Sequence, residues 1–421
     1  MVHVSDLISE DIESYLAAHE QKELLRFITC GSVDDGKSTL IGRMLYESHM
    51  LFDDQLAALE ADSKKVGTQE GEIDFALLVD GLAAEREQGI TIDVAYRFFS
   101  TDKRKYIVAD TPGHEEYTRN MATGASTANV AIILVDASQG VLTQTRRHSF
   151  IVSMVGVKRI ILAVNKLDLV DYSEEVFNQI KQDYHNFANE ALSLEEITAI
   201  PISALKGDNI VGPSENTPWY SGQSIMEYLE TVEVAAEAQS RPFRMPVQWV
   251  NRPNREFRGF TGLIGSGTVS TGDKIRVLPS GTESTVARIV TYDGDLELAG
   301  AGRSITLTLT DEIDISRGDI ITSADSPCSS ADQFQARILW MDDSAMASGR
   351  QYVYKSNSQT TSMTLGRLKH KIDVNTLEEL PAKELDMNEI GVCNISLSSR
   401  IAFDPYDSDP VMGGFVIVDR M

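Results

Sequence analysis

The chain has 421 residues, with 38 Lys and Arg against 63 Asp and Glu, and a formal net charge of −25. This length is typical of about three domains, and a composition of 42% hydrophobic and 24% charged residues excludes disordered and collagen-like chains. So negative a charge repels phosphate backbones and argues against binding of DNA or RNA through a broad basic surface.

The first predicted element is an N-terminal arm, residues 1–23, whose apolar residues are spaced as in a short amphipathic helix. Beyond it, short β-rich runs alternate with helical patterns, which favours a mostly parallel sheet with helices on both faces. Strands are expected at 24–30, 92–99, 105–110, 130–136, 159–165 and 199–203. Helices are expected at 37–48, 115–128, 143–155, 174–192 and 223–236. An acidic insert at 49–90 has no clear period, and such inserts are usually functional and mobile.

The second half of the chain has a different texture. After Arg241 and Pro242, short strands with turn signals every ~8–12 residues predict small antiparallel β-barrels. Residues 1–240 hold 19 basic and 39 acidic side chains, whereas residues 241–421 hold 19 and 24. The sequence therefore predicts a multi-domain α/β plus all-β chain. We expect an α/β domain at 24–240 and two β-barrels at 241–328 and 329–421.

The cysteines and the N terminus indicate the compartment. Three cysteines cannot form a disulfide framework and none lies in a metal-type CxxC spacing, so Cys30 is expected to be a buried strand thiol. The acidic N terminus lacks the basic and then apolar order of a signal peptide. The longest apolar runs are shorter than the ~20 residues of a membrane span. We therefore expect a cytoplasmic protein.

A phosphate-binding loop is the first motif that carries chemistry. Residues 31–38, GSVDDGKS, fit the pattern G-x-x-x-x-G-K-[ST] between a predicted strand and a predicted helix. Backbone N–H groups and the positive end of the helix would hold a phosphate. Lys37 would reach the β- and γ-phosphates, and the Ser38 hydroxyl would ligate Mg²⁺. The nucleotide-binding residues expected here are Gly31, Ser32, Val33, Asp34, Asp35, Gly36, Lys37, Ser38 and Thr39.

A second motif predicts which base is bound. Asp168, in the run NKLD, can accept hydrogen bonds from guanine N1–H and its 2-amino group, a donor pair that adenine lacks. Asn165 would join the loops of the site, and Lys166 would lie along the base. About one βα unit later, backbone N–H groups would meet guanine O6; the residues expected there are Ser203, Ala204 and Leu205.

Two further segments would sense the γ-phosphate. In DTPGH, Asp110 would hold Mg²⁺ through water and the Gly113 N–H would contact the γ-phosphate. At the end of the insert, Thr91 offers a hydroxyl and a carbonyl, so the expected metal site combines Ser38, Thr91 and Asp110. Loss of the γ-phosphate would release both segments. His114 is the candidate for orienting the attacking water; the alternative is a surface histidine at the start of a helix.

These motifs together resemble the translation-factor GTPases, whose members include elongation factor Tu. The loop lacks the histidine that translation factors carry after the first loop glycine, and this indicates a narrower resemblance. FITCGSVDDGKSTLIGRMLYES (27–48), LLVDGLAAEREQGITIDVAYRFFST (77–101) and IAFDPY (401–406) are similar to the family of GTPase subunits of bacterial sulfate adenylyltransferase.

The resemblance implies a P-loop GTPase domain followed by two barrels, with GTP/GDP and Mg²⁺ as cofactors. It implies hydrolysis of GTP coupled to formation of adenosine 5′-phosphosulfate and pyrophosphate from ATP and sulfate on a smaller partner subunit, in sulfate assimilation. It also implies that Val33 and Ile90 flank His114 as an apolar gate; simple loop packing is the alternative. Some members are fused to a downstream adenylylsulfate kinase domain. Such a domain would need a second phosphate loop, and because these 421 residues have only one we expect no kinase domain within them.

Two other functions stay open on the sequence. One is a translation factor carrying aminoacyl-tRNA, which the negative charge disfavours although residues 252–260 form a local basic cluster. That cluster is equally suited to meet the partner subunit or the GTPase domain. The other is a GTP-binding regulator without turnover, in which replacing His114 would leave function intact.

Overall fold

The computed structural model describes residues 22–48, 59, 63, 73–79 and 93–419. Most of the predicted arm, and Ile90 and Thr91 of the insert, therefore lie outside the described residues. The chain divides into two compact units, one of Met1–Val232 with Val374–Leu377 and one of Glu233–Asp373 with Glu378–Met421. The second unit contains both halves of the predicted barrel region, and their separation at residue 328 stays a prediction.

Unit 1 is built around a six-stranded sheet in the order β2-β3-β1-β4-β5-β6. Its strands are β1 Glu23–Cys30, β2 Ala95–Ser100, β3 Arg104–Asp110, β4 Val130–Asp136, β5 Arg159–Asn165 and β6 Glu196–Pro201. The pair β2–β3 is antiparallel and the other pairs are parallel. Every residue of β4 is buried, as expected for the apolar central strand of a sheet covered on both faces. The mostly parallel sheet predicted from the alternating pattern is confirmed.

The helices of unit 1 follow the strands. They are α1 Lys37–Glu47, α2 Thr118–Ala125, α3 Thr143–Met154, α4 Glu174–Ala191 and α5 Ile225–Thr231. The next helix, α6 Ala235–Ser240, lies in unit 2. Short 3₁₀ turns occupy Phe75–Leu78, Glu115–Tyr117 and Leu167–Val170. Ser173 caps α4 by accepting the Val176 N–H, and Ser224 forms a capping box with Glu227 at α5. Local side-chain chemistry therefore sets where these helices begin.

Two predicted helices differ from the observed ones. The helix expected at 223–236 is helical in part but not continuous, because Val232 has extended backbone angles and separates α5 from α6. The helix expected at 115–128 begins as a 3₁₀ turn and becomes α-helical only from Thr118 to Ala125. A β-branched residue with an extended backbone cannot continue a helix, which explains the first break.

Unit 2 is all β apart from short helices. The strands are β7 Arg244–Pro246, β8 Trp249–Asn251, β9 Gly259–Leu263, β10 Thr268–Ser270, β11 Lys274–Leu278, β12 Glu283–Thr291, β13 Gly294–Leu296, β14 Leu298–Gly300, β15 Ser304–Leu309, β16 Ile320–Ser323, β17 Ser329–Leu339, β18 Gln351–Ser356, β19 Gln359–Ile372, β20 Glu379–Leu380, β21 Ile390–Phe403 and β22 Val416–Val418, with a short helix α7 at Pro410–Gly413. All strand pairs here are antiparallel. The antiparallel, all-β second half is thus confirmed.

The strands of unit 2 form two principal sheets, one of β7–β9, β11–β13, β15 and β16 and one of β17–β22. Each has its own apolar core, the first including Met245 and Leu307 and the second including Tyr352 and Leu365. Among the described residues, no helix is long and apolar enough to cross a membrane.

Candidate functional site

The predicted motifs meet at one edge of the sheet of unit 1. The phosphate loop follows β1, the segment 110–114 begins at the last residue of β3, and NKLD begins at the last residue of β5. These strands are parallel, so their carboxyl ends share an edge, which is where ligands bind in open α/β sheets. Three motifs that are far apart in sequence therefore lie at one edge of the sheet.

The phosphate loop has the backbone geometry of an anion cradle. Gly36 has a positive φ of 91°, and a Cβ there would lie 2.5 Å from the Asn165 amide nitrogen, so only glycine fits. The Ser32 N–H donates to Asp35 Oδ2 at 2.5 Å, which closes the loop on itself. The next residue, Lys37, begins α1 without any side-chain cap and without an acid in the first turn. The first-turn N–H groups are thus available for an anion.

Lys37 lies folded over this cradle. Its Nζ donates to the carbonyls of Gly31 at 3.1 Å and Ser32 at 2.7 Å. A Cβ on Gly113 would lie 2.8 Å from that Nζ and 2.8 Å from the Val33 nitrogen. The Gln144 side-chain amide donates to the Gly113 carbonyl at 2.9 Å and fixes that peptide. The segment after β3 therefore packs directly on the phosphate loop, with glycine as the residue that permits the approach.

The residues predicted to hold Mg²⁺ suit a hard cation. The Ser38 hydroxyl donates to Asp110 Oδ2 at 3.0 Å, and the Thr29 hydroxyl donates to Asp110 Oδ1 at 3.3 Å. Hydroxyl and carboxylate oxygens are the ligands that Mg²⁺ prefers, together with water and substrate phosphates. The described part of the chain contains no group of three or more His, Cys, Asp or Glu arranged as a metal cage. The donors fit a cation held jointly by the protein and a phosphate.

Burial sets the electrostatics of the cradle. It lowers the pKa of Lys37, against the opposing charges of Asp110 and Asp35. It raises the pKa of Asp110, against Lys37 and the Ser38 hydrogen bond, and it raises the pKa of Asp35 to about 6, against Lys37. A phosphate beside Lys37 and a cation beside Asp110 would both favour the charged forms, so the site is electrostatically complementary to a metal–phosphate pair.

Asn165 connects the two halves of the candidate site. Its side-chain NH₂ donates to the Asp35 carbonyl at 2.7 Å, and its Oδ1 accepts the Ala204 N–H at 2.9 Å. The phosphate loop and the loop after β6 are thereby held by one buried amide. The Ala204 N–H therefore already has one acceptor, and its contact with guanine O6 stays a prediction.

The base end of the site contains Lys166 and Asp168. Lys166 Nζ lies 2.9 Å from Asp136 Oδ2, at the end of β4. Burial acts to raise the pKa of Asp136, but hydrogen bonds from Ser138 and Lys166 outweigh it and the pKa is lowered. Asp168 lies in the 3₁₀ turn Leu167–Val170 and is partly exposed. An ionised Asp136 thus holds the Lys166 ammonium at the end of β4.

The loop after β6 is held by its own hydrogen bonds. The Ser203 side chain is buried and its hydroxyl accepts the Lys206 N–H at 3.2 Å. The Leu205 carbonyl accepts a hydrogen bond from Arg43 at 3.2 Å. The three residues predicted to meet guanine O6 therefore belong to a loop whose backbone is fixed on two sides.

His114 is exposed at the rim of the candidate site. Its Nδ1 accepts the Glu116 N–H at 3.4 Å, and its ring centroid lies 6.2 Å from that of Tyr117. Val33, the first predicted gate residue, is 38% exposed. Thr91 and Ile90 lie outside the described residues, so the gate and the third metal ligand stay predictions.

Three residues that position the site were missed on the sequence. Asp136 holds Lys166, Gln144 holds the Gly113 carbonyl, and Arg43 holds the loop after β6. An acid at the end of an apolar strand was a usable signal for Asp136, because that strand end lies at the ligand edge. Gln144 and Arg43 lie on helices at positions outside the motif residues, and only the tertiary structure reveals their contacts.

Comparisons with known proteins agree with this geometry. The "Elongation factor Tu GTP binding domain" family matches residues 22–239, and the "GTP-eEF1A C-terminal domain-like" family matches residues 333–421. Sulfate adenylyltransferase subunit 1 of Aliarcobacter butzleri is 59% identical over all of this chain and 90% of its own length. The protein of the same name from Chromobacterium violaceum is 56% identical over all of this chain and 88% of its own.

A solved structure gives the same fold at low identity. The GTPase-like domain of S. cerevisiae Ski7, bound to GTP, has a TM-score of 0.52 and 16% identity, covering 97% of each chain. That likeness concerns the fold alone. The family matches and the relatives above half identity go further: this chain is a member of the sulfate adenylyltransferase subunit 1 family, with an elongation factor Tu-type GTP-binding domain.

Proposed function

We propose that the chain binds Mg²⁺·GTP and hydrolyses it to GDP and phosphate, in the cytoplasm, to drive sulfate activation on a smaller partner subunit. There, ATP and sulfate would give adenosine 5′-phosphosulfate and pyrophosphate. The observation that carries the nucleotide part is the Asn165 amide, which holds the phosphate loop and the loop after β6 together. The names of the relatives support the adenylyltransferase part.

Each residue of the site has a role in this proposal. Lys37 would leave the two loop carbonyls and pair with the β- and γ-phosphates. Ser38, Asp110 and Thr91 would hold Mg²⁺, which when bound neutralises charge developing on the transferred phosphoryl group. The Gly113 peptide would donate its N–H to the γ-phosphate while Gln144 holds its carbonyl.

His114 would orient the attacking water. A neutral histidine whose Nδ1 accepts the Glu116 N–H carries its proton on Nε2, which can then donate to a water oxygen. Its exposed position suits a residue that reaches the γ-phosphate only when an activator engages it. We infer that the partner subunit is that activator, so that GTP is consumed only during adenylyl transfer.

The coupling is tested by assaying the chain with and without its partner subunit, measuring GTP hydrolysis and pyrophosphate release from ATP plus sulfate. We expect the partner to accelerate GTP hydrolysis and GTP to increase adenosine 5′-phosphosulfate yield. His114→Ala should lower the hydrolysis rate about 100-fold with GDP affinity unchanged, because it removes a positioned proton donor. His185→Ala, on α4, is the matched control and should have no effect. An unchanged hydrolysis rate in His114→Ala would remove the proposed role of His114. A lowered rate with an unchanged gain of adenosine 5′-phosphosulfate from GTP would indicate a regulator without turnover.

Base selection has its own test. Asp168→Asn replaces a double acceptor by a group that also donates, so preference should move from GTP towards xanthosine triphosphate by about 100-fold in the ratio of binding constants. Competition against a fluorescent nucleotide measures that ratio. Asp171→Asn, three residues later and exposed, serves as control. An unchanged preference would remove the guanine assignment.

A further inference from the structure

Arg43 lies on α1, six residues after Lys37, and its guanidinium has three hydrogen-bond partners. The Nε donates to Glu47 at 2.5 Å, one helical turn along. The two terminal nitrogens donate to the carbonyls of Leu205 at 3.2 Å and Lys206 at 3.3 Å. The Arg43 side chain is 19% exposed, so its planar guanidinium fork is largely buried against the loop after β6.

That loop is shaped to receive the guanidinium. Gly207 has a positive φ of 88°, and a Cβ on it would collide with an Arg43 terminal nitrogen. The Gly207 N–H donates to the Ser203 carbonyl at 2.8 Å, which closes the loop around the residues predicted to read guanine O6. A side chain at 207 would therefore displace the arginine, and the glycine preserves the fit.

The same guanidinium contacts the insert. Its carbon lies 5.1 Å from the centre of the Phe75 ring, and the Tyr46 ring lies 5.2 Å from that centre on another side. Phe75 is buried, and its backbone carbonyl lies where a Cβ on Gly42 would be. At the far end of this segment, Arg97 of β2 donates to the Val79 carbonyl at 2.7 Å. Residues 73–79 are thus held at both ends.

We propose that Arg43 is a positioning residue that couples guanine recognition to the insert. The planar guanidinium of Arg43 contacts both the loop after β6, proposed to read the base, and residues 73–79, which lead along the chain to Thr91. A displacement of the loop or of residues 73–79 would therefore move the guanidinium and change its contact with the other. The inference rests on the proposed GTP binding and adds a residue that acts through the loop without touching the nucleotide. Its consequence is that base selection depends on a ring in the insert.

The base-reading effect is separable with two nucleotide analogues. In 6-thio-GDP a sulfur replaces O6 and accepts hydrogen bonds more weakly, so the ratio of its affinity to that of GDP reports the loop after β6. Inosine diphosphate lacks the 2-amino group, so its ratio to GDP reports Asp168. Arg43→Met keeps the stem but removes the fork. We expect this variant to bind GDP about 10-fold more weakly and to have a 6-thio ratio (affinity for 6-thio-GDP divided by affinity for GDP) closer to 1. The inosine ratio (affinity for inosine diphosphate divided by affinity for GDP) should stay as in the wild type.

The link to the insert is tested by a double-mutant cycle. Phe75→Leu removes the ring beside the guanidinium and should weaken GDP binding about 3-fold. In the Arg43→Met background that effect should disappear, because the connection is already broken. Arg43→Lys keeps the charge without the fork and should not restore the 6-thio ratio. Arg146→Met is the matched control, since Arg146 also lies over a ring, that of Phe187, on another helix of the same unit.

If Arg43→Met does not fold, Glu47→Gln perturbs the same guanidinium more mildly. It should bring the 6-thio ratio about 2-fold closer to 1. The proposal is overturned by an unchanged 6-thio ratio in Arg43→Met, by its restoration in Arg43→Lys, or by additive effects in the cycle with Phe75→Leu. Failure of the wild-type chain to bind GDP would instead remove the proposed function itself.

Discussion

His148 is a buried histidine that the proposed mechanism does not use. It lies on α3, is 1% exposed, and its Nδ1 has no hydrogen-bond partner among the described residues. Burial lowers the pKa of His148 to about 3, and the charges of Lys37 and Arg147 act in the same direction. The side chain is therefore neutral throughout the physiological range. At any pH where the unfolded chain can protonate it, this burial lowers the free energy of unfolding.

The pH dependence of stability follows from the two pKa values of His148, one in the folded and one in the unfolded chain. The folded pKa lies below the ordinary value of 6.5, so the stability linked to His148 is complete above pH 6.5 and is lost as pH falls towards 3. Between pH 7 and pH 5 the loss is about 2 kcal/mol. His148→Gln should lose that much less stability over the same interval. Urea unfolding followed at 222 nm, where the helices of unit 1 dominate, measures it; parallel losses in both proteins would contradict the assignment.

At the scale of elements, α1 and the 3₁₀ turn Phe75–Leu78 pack closely through Gly42. Replacing a glycine inside a helix by alanine usually stabilises by about 1 kcal/mol. Here the new methyl would collide with the Phe75 carbonyl. We expect Gly42→Ala to destabilise unit 1 by about 1–3 kcal/mol and to displace the turn.

Amide hydrogen exchange checks this prediction. The Val79 N–H donates to the Ala76 carbonyl at 2.9 Å and should exchange faster in Gly42→Ala. Gly124→Ala, in α2, is the control: its methyl would lie 3.2 Å from a Thr111 methyl carbon, a contact that a side chain can relieve. A stabilised Gly42→Ala protein with unchanged exchange at Val79 would show that the close packing is not present.

At the scale of the whole molecule, the IAFDPY segment has a structural role in unit 2. Arg244 of β7 pairs with Asp404, which follows β21, through contacts of 2.6 and 3.3 Å. Their side chains are 5% and 17% exposed, and Arg244 also donates to the Ser326 carbonyl at 2.8 Å. A buried bidentate pair thus joins the two principal sheets of this unit.

Breaking the pair should cost stability. Asp404→Asn leaves the Arg244 charge buried without its partner, so we expect a loss of about 3 kcal/mol and a lower thermal midpoint for unit 2. Asp295→Asn breaks a similar two-contact pair with Arg288 that lies on the surface, and it should leave the midpoint unchanged. Equal shifts in the two variants would contradict a role based on burial.

Much of the α/β unit was predictable because its signals are local. Strand and helix patterns alternate, and the phosphate loop lies between β1 and α1, where its chemistry requires it. The break at Val232 was not predictable, because helical spacing continues through 223–236 and only backbone geometry ends α5. Within the site, the motif residues were identified one by one, but the hydrogen bond from the Ala204 N–H to Asn165 was not predictable from them, because it joins two separate loops.

The amino-acid sequence alone was enough to predict the phosphate loop, the carboxylate that we propose selects the base, and the order of an α/β half before an all-β half. These depend on residue type and on neighbours a few positions away. The side chains that hold those motifs in place are identifiable only in the folded chain: Asn165 across two loops, Gln144 on Gly113, and Arg43 between a loop and the insert. Such contacts join residues 31 to 162 positions apart, and they form only when packing of the sheet brings its loop ends together.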